Sequence, residues 1–345
     1  MKVLVTGGAG FIGSHVCAAL RERGHDAVIL DNFSTSSPAV LARLGALVGP
    51  VALERVDVRD SNRVTDALRR HCIDAVVHCA GFKAVGESVR APIVYFDNNV
   101  TGSIALLHAM RAAGVPRLVF SSSATVYGAP DACPITEDAP LRVLNPYGRS
   151  KLVTEDMIRD ATAADDGLRA VILRYFNPVG AHASGLIGEA PCGEPSNLMP
   201  IVCQVAAGQR DWLDVHGNDY ATPDGTGVRD FIHVMDLAEA HVAALEELAR
   251  APRNLTLNLG TGRGYSVLDL VRAVEGVSGR VVRYRFGPRR AGDADAVYAD
   301  PSLARREIGW SAQRGLGEMC RDAWKWQSDN PAGYGTVPPG APVAA

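Results

Sequence analysis

The sequence predicts an α/β fold, a doubly wound parallel sheet with a smaller C-terminal substrate-binding lobe. Three observations point to it. Residues 1–5 form a short apolar β-run that closes on Gly7, Gly10 and Gly13. A second apolar run, residues 27–30, ends on an acid, Asp31. Strand-like runs then alternate with helix-like stretches as far as Arg174, the pattern of buried parallel strands joined by crossover helices.

Each element has its own warrant. Residues 14–23 read as a helix, with Val16, Cys17 and Leu20 on an apolar stripe. Glycines in the turn before it let a backbone approach a pyrophosphate lying at the helix N-terminus. A lone glycine triplet marks only a loop, but here it stands in a strand–turn–helix–strand frame, so the region is expected to be Rossmann-type. Asp31 ends the second strand, where a carboxylate accepts hydrogen bonds from an adenosine ribose diol and repels a 2′-phosphate; NAD is thereby favoured over NADP. The plainer reading of Asp31 is a helix-capping acid. Residues 51–56 read as a strand leading to Asp57 and Val58, residues 61–72 as a helix, and residues 75–79 as a strand ending in Ala80 and Gly81. Residues 93–113 read as one long helix, 117–121 as a strand, and 169–174 as the next strand. Ligands of such sheets bind beyond the carboxyl ends of the strands. That rule gathers Asp31, Asp57, Ala80, Gly81, residues 121–123 including Ser123, and Tyr175, Phe176 and Asn177 at one crevice.

Between the last two of these strands lies Asn145-Pro-Tyr-Gly-Arg-Ser-Lys151. Pro146 suits a first helical position, and a helix starting there sets Tyr147 and Lys151 one turn apart on one face. An ammonium beside a phenol favours phenolate, so Tyr147 is a candidate base for taking a proton from an alcohol, with its pKa expected to fall. The plainer reading is a surface pair.

After Asn177 the texture changes. Residues 180–200 are loop-rich, and 177–330 read as a smaller lobe set against a dinucleotide-binding domain of residues 1–176. Segments within 228–262, such as 231–234 and 256–259, are expected to return to the main sheet. Residues 331–345, rich in Gly, Pro and Ala, are expected to be disordered.

The net charge of −3 over 345 residues argues against a nucleic-acid or membrane surface. Residues 1–5 read as a buried strand rather than a signal peptide, and no apolar run approaches the roughly 18 residues that span a bilayer. Seven scattered cysteines without Cys-x-x-Cys spacing suggest a reducing, cytoplasmic setting, and no metal site is expected.

Longer motifs carry a family resemblance. Thr6-Gly-Gly-Ala-Gly-Phe-Ile-Gly-Ser-His15, Gly81-Phe-Lys-Ala-Val-Gly-Glu-Ser88, Ser121-Ser-Ser-Ala-Thr-Val-Tyr-Gly128, Arg174-Tyr-Phe-Asn-Pro-Val-Gly-Ala-His182 and Gly225-Thr-Gly-Val-Arg-Asp-Phe-Ile-His233 join the Tyr147 motif. Together they resemble the extended short-chain dehydrogenase/reductases and, within them, the UDP-glucose 4-epimerase family, over nearly the whole chain to about Asn330. The resemblance implies interconversion of UDP-glucose and UDP-galactose by transient oxidation at C4 with tightly bound NAD. Tyr147 would take the 4-hydroxyl proton, Lys151 would bind the nicotinamide ribose and, with the oxidised ring's positive charge, depress the Tyr147 pKa, and Ser123 would hydrogen-bond the reacting oxygen. Gly7, Gly10, Phe11, Ile12, Gly13, Asp31, Asn32, Phe33, Ser34, Thr35 and Ser36 match the pyrophosphate and adenosine contacts. Asp57 and Val58 match the adenine contacts, and Cys79, Ala80, Gly81, Phe82, Lys83, Asn98 and Phe176 complete the cofactor set. Asn177, Asn197, Leu198, Asp214, Val215, His216, Arg229, Arg290 and Asp293 match positions that hold the UDP-sugar; two arginines suit a diphosphate. Where some members carry a bulky tyrosine at the sugar pocket this chain has Val297, which leaves room for a 2-acetamido group, and Cys79 replaces a commoner aromatic. The helices at 93–113 and 147–159 have stripes suited to a homodimer interface, as in similar enzymes.

Two other readings compete. A sugar-nucleotide dehydratase shares the Tyr/Lys pair but carries an Asp-Glu couple after the serine or threonine, where this chain has Ala124 and Thr125. A non-catalytic NAD-binding sensor has no need of Ser123, Tyr147 and Lys151 together.

Overall fold

Apolar runs that do not alternate with polar residues can be buried on both faces of a parallel sheet, and the chain uses them so. The computed structural model describes residues 1–290 and 292–335. Along β1, Val3 and Val5 enter one hydrophobic cluster and Leu4 enters another across the sheet. Ala75, Val77 and Val76 divide between the same two clusters in the same way.

The first half of the sheet comprises β1 (Lys2–Thr6), α1 (Phe11–Glu22), β2 (Asp26–Leu30), α2 (Ala39–Val48), β3 (Ala52–Glu54), α3 (Ser61–Arg70) and β4 (Ala75–His78). Then come α4 (Val85–Arg90), α5 (Pro92–Tyr95), a π-helical turn (Phe96–Thr101), α6 (Gly102–Ala113), β5 (Arg117–Ser121), α7 (Pro146–Ala164) and β6 (Arg169–Tyr175). The lobe follows with β7 (Asn177–Val179), α8 (Leu198–Ala206), β8 (Leu213–His216), β9 (Val228–Arg229), β10 (Phe231–His233) and α9 (Val234–Arg250). The remainder is β11 (Leu255–Leu259), β12 (Tyr265–Ser266), α10 (Val267–Ser278), β13 (Tyr284–Gly287), β14 (Ala296–Val297), α11 (Ser302–Ile308) and α12 (Leu316–Asp329). The main sheet has seven strands in the order β11-β6-β5-β4-β1-β2-β3, all parallel. Strand order reverses at β1, between β2 and β4, and the crevice outside their carboxyl ends is the place for a ligand.

Four details depart from the sequence reading. Residues 93–113 do not form one regular α-helix, because Phe96–Thr101 widens into a π turn that carries Asn98 and Asn99. Residues 231–234 do not join the main sheet: β10 pairs with β7 in a separate two-stranded ribbon, and only β11 docks beside β6. The cause lies on either side of β10. The buried Asp230 carboxylate accepts hydrogen bonds from the backbone N–H groups of Thr261, Gly262 and Ala299, and His233 ends the strand by capping α9. Helix α2 falls where sequence reading placed no element. Lastly, of the tail expected to be disordered, residues 331–335 are folded back: the Tyr334 ring packs 4.9 Å from that of Trp326, and its hydroxyl donates to the Gly188 carbonyl. Residues 336–345 lie outside the described residues.

Candidate active site

The glycine turn is built for close approach. A side chain on Gly13 would place its Cβ 2.2 Å from the Gly7 carbonyl oxygen, and one on Gly7, at φ +67, would meet the Ala80 backbone at 2.8 Å. Gly10 caps α1 with no side chain in the way. Asp31, at the end of β2, ties this turn to the next loop: its carboxylate accepts from Ala9 N (3.0 Å), Phe33 N (2.8 Å) and the Ser36 hydroxyl (2.9 Å). Asn32 donates to Asp57 at 3.0 Å, and hydrogen bonds from Arg59 hold the Asp57 carboxyl far below the usual range. Phe33 takes a left-handed conformation, φ 60, and turns its ring onto the core and toward Arg55.

Above this floor lies a cavity of about 350 Å³. Gly7, Gly10, Phe11, Ile12, Gly13, Asp31, Asn32, Ser34, Thr35, Ser36 and Val58 line it. So do Cys79, Ala80, Gly81, Phe82, Lys83, Asn98, Tyr147 and Lys151. Phe33, Asp57, Ser123 and Phe176 stand outside its lining. A glycine cradle, a carboxylate at the end of β2 and an elongated wall formed by the ends of β1, β2 and β4 fit an extended dinucleotide.

The Tyr147 helix begins as its residues dictate. Asn145 in extended conformation accepts from Gly148 N at 2.8 Å, and Pro146 occupies the first turn. Tyr147, Lys151 and Glu155 then fall on one buried face of α7, at successive turns. Lys151 Nζ donates to the Ser121 carbonyl at 2.8 Å and lies 4.9 Å from the Phe120 ring centroid. Burial drives its pKa down to about 8, against the opposing pull of Cys79 and Glu155. Burial likewise pushes the Tyr147 phenol up, and the neighbouring Ser123 hydroxyl works the other way. The expectation that Lys151 lowers the Tyr147 pKa is therefore corrected: in the protein alone desolvation of the phenol dominates, and the ammonium is held by the end of β5. Ser123 itself accepts from the Thr125 hydroxyl at 2.9 Å.

On the lobe, Arg229 and Val297 are register partners on β9 and β14. Arg229 faces Asp293 at 3.4 Å and donates to the Ala294 carbonyl at 2.9 Å. Asn197 caps α8 just before Leu198, and its amide donates to Glu189 Oε1 at 2.6 Å. Asn177 opens β7 and is exposed. Val215 is buried in the lobe core, whereas Asp214 is exposed and paired with Arg285 at 2.5 Å. His216 is half-buried at the end of β8, and Arg290 is exposed. Val297 packs against the cluster that contains Ala124 and Phe176.

A model of the NAD dependent epimerase/dehydratase family matches residues 3–260. The chain belongs to this family. It is similar to UDP-glucose 4-epimerase of Bacillus subtilis (strain 168), 54% identical over 97% of this chain and 99% of that one. It is similar also to UDP-glucose 4-epimerase of Homo sapiens, 53% identical over 97% and 99%. Among solved structures, it overlays on UDP-glucose 4-epimerase from Bifidobacterium longum in complex with NAD+ and UDP with a TM-score of 0.93, at 48% identity, covering 96% of this chain and 100% of that one. For UDP-glucose-4-epimerase from Stenotrophomonas maltophila, with bound NAD and formylated UDP-arabinopyranose, the TM-score is 0.95 at 54% identity, covering 96% and 99%. Family members share the dinucleotide fold that the glycine turn and Asp31 build here.

Sequence reasoning missed several residues of the cavity wall. Ala9, Glu87 and Tyr95 line it, as do Gly188, Glu189 and Tyr334. Tyr175, expected at the crevice from its place at a strand end, does line it. Tyr334 carried no signal, lying in a segment read as disordered. No helix among the described residues is long and apolar enough to cross a membrane, and none of their His, Cys, Asp and Glu side chains form a group of three able to hold a metal ion.

Proposed function

We propose that the protein interconverts UDP-glucose and UDP-galactose through a 4-keto sugar. The observation that carries this reading is the convergence of Tyr147, Lys151 and Cys79–Gly81 on one dinucleotide-shaped cavity, in a chain 54% identical to a UDP-glucose 4-epimerase. NAD, when bound, supplies the acceptor for a hydride from C4 and returns it to the opposite face. Tyr147 takes the 4-hydroxyl proton and gives it back. Ser123, two residues beyond β5, holds the reacting oxygen. Lys151, fixed by the Ser121 carbonyl, brings positive charge to the ribose end and stabilises developing phenolate. Phe33, Asp57 and Phe176 support the cofactor wall from behind its lining residues.

Residues 1–176, with the returning strand β11 beside β6, serve the dinucleotide, and 177–330 mainly the nucleotide sugar. Arg229 and Arg290 take the diphosphate, with Asp293 orienting Arg229; Asn177, Asn197, Leu198, Asp214, Val215 and His216 frame the rest. Ala124 and Thr125 lack the acid–base chemistry that expels water, which separates this site from a dehydratase. Purified protein given UDP-galactose without added cofactor is expected to form UDP-glucose with no net change in nicotinamide absorbance. Retained NAD with no sugar interconversion would instead mark a sensor.

A second activity rests on Val297. Its side chain, which packs against the cluster of Ala124 and Phe176, is smaller than the tyrosine some family members carry there, and a 2-acetamido group is the substituent such a difference would admit. Turnover of UDP-N-acetylglucosamine is expected, and Val297→Tyr should abolish it while sparing UDP-glucose. Equal loss on both substrates, or no acetamido activity in the wild type, would remove the idea.

A homodimer suits the surface beside the site. Val89 (62% exposed), Ile93 (76%), Val94 (53%) and Ile104 (40%) lie on α4, α5 and α6, with Val153 on α7. All seven cysteines are free, which suits a reducing cytoplasm.

A further inference from the structure

The loop at residues 188–196 belongs to the lobe side of the chain yet forms one wall of the dinucleotide cavity. It is clamped from the C-terminal side. Gly188 packs so closely on Trp326 that a Cβ there would sit 2.4 Å from the indole. Trp326 Nε1 donates to the Glu189 carbonyl at 3.0 Å, and the Tyr334 hydroxyl both accepts from Gly188 N and donates to Gly188 O, at 3.2 Å. Helix α12 and Tyr334 therefore fix the backbone of Glu189 and leave its side chain as the reaching group.

That side chain is 10% exposed and makes two contacts of a particular kind. Glu189 Oε1 accepts from Lys83 Nζ at 2.8 Å and from Asn197 Nδ2 at 2.6 Å. Lys83 follows β4 on the cofactor wall, whereas Asn197 caps α8 of the lobe. One carboxylate oxygen thus bridges a cofactor-side cation and a substrate-side amide that are 114 residues apart. A surface ion pair is worth little, and Lys83 is 51% exposed, but the acceptor is largely shielded, has a second donor on the same atom and sits on a backbone held by an indole.

We propose that Glu189 is a positioning residue: it latches the 188–196 loop across the cavity, so that the grip on the nucleotide sugar and the retention of NAD are set by one carboxylate. The inference rests on the epimerase reading for its substrate arm only. A cofactor that must survive between two half-reactions needs a wall that stays shut while the sugar turns. A latch made from the same side chain that orders Asn197 joins the two requirements.

The test uses the full-length holoenzyme with Glu189→Ala and Glu189→Gln. The amide keeps an oxygen able to accept from Lys83 and Asn197, and alanine keeps none. Exchange of bound NAD against excess labelled NAD should accelerate about tenfold or more in Glu189→Ala, the size expected from losing a charge-assisted hydrogen bond. KM for UDP-galactose should rise by about the same factor with kcat within about threefold, and Glu189→Gln should recover most of both effects. Unchanged exchange in Glu189→Ala overturns the proposal. So does a fall in kcat at unchanged KM and exchange, equal in both variants, since that is the mark of a merely structural residue. If the wild type failed to interconvert the sugars, the epimerase reading would fall while the exchange measurement still decided the latch.

Discussion

Replacing Glu155 by alanine should both loosen the fold and displace the catalytic helix, and the size of the loss follows from what the carboxylate holds. Glu155 is fully buried, one turn beyond Lys151. It accepts from the Ser122 hydroxyl (2.5 Å), Arg174 Nε (3.0 Å) and Nη2 (2.7 Å), and Arg159 Nη2 (2.6 Å). It thereby ties α7, which carries Tyr147, to the residue just beyond β5 that precedes Ser123 and to β6, which carries Tyr175. Without it, Arg174, itself 2% exposed, keeps the Tyr127 hydroxyl at 3.0 Å and the Glu137 carbonyl at 3.2 Å but loses its hydrogen-bonded carboxylate partner. Stranding one member of a buried ion pair costs about 3–5 kcal/mol, a large share of a typical domain's stability. Arg159 is 39% exposed and can turn to water, so its share is small. Urea unfolding at saturating NAD, which keeps the linked binding energy constant, should show a lower midpoint at unchanged slope. The effect has a pH signature. Burial alone would raise the Glu155 carboxyl, but Arg174, Ser122 and Arg159 together hold it below the usual carboxylate range. A depressed folded pKa gives stability that is complete above the unfolded value of about 4.3 and fades as pH falls through the folded one. Wild type minus Glu155→Gln should therefore converge in acid. A loss under about 1 kcal/mol together with unchanged kcat would refute the reasoning, since a buried pair with this geometry cannot be that cheap to break.

Two further outcomes concern the chemistry. Tyr147→Phe removes only the phenolic oxygen, so NAD should remain bound while kcat for UDP-galactose falls by about 10²- to 10⁴-fold, the usual worth of a positioned proton-transfer group; a fall of less than tenfold would transfer the role to another residue. Gly13→Ala forces its Cβ against the Gly7 carbonyl and within 2.8 Å of Gly8 Cα. The purified variant should fold but carry little nicotinamide, measured as cofactor released on denaturation, and full cofactor content would contradict the cradle.

Much of this architecture was legible because it is local. Apolar runs that are buried on both faces, the punctuation by Gly7, Gly10 and Gly13, and the Asn145-Pro146 cap each act within a few residues. Strand β5 lies where sequence patterning placed it, at residues 117–121. What was hidden depends on contacts distant in the chain. The polarity of 231–234 suited any strand, and only the buried Asp230, gripped by backbone from residues 261, 262 and 299, diverts it from the main sheet. Tyr334 looked like part of a Gly/Pro tail until Trp326 and Gly188 supplied its partners. The direction of the Tyr147 pKa in the protein alone was hidden for a related reason: residue spacing sets Lys151 nearby, but burial, a property of the whole fold, raises it there.

The most direct test of the central claim follows the hydrogen on C4. UDP-glucose deuterated at C4, incubated with the purified protein in ordinary water until UDP-glucose and UDP-galactose equilibrate, should yield UDP-galactose with the deuterium still on C4, because Tyr147 exchanges only the hydroxyl proton and the carbon-bound hydrogen leaves and returns as hydride. Loss of the label to water at the pace of interconversion would show that C4 is deprotonated rather than oxidised, and would contradict the mechanism at its root.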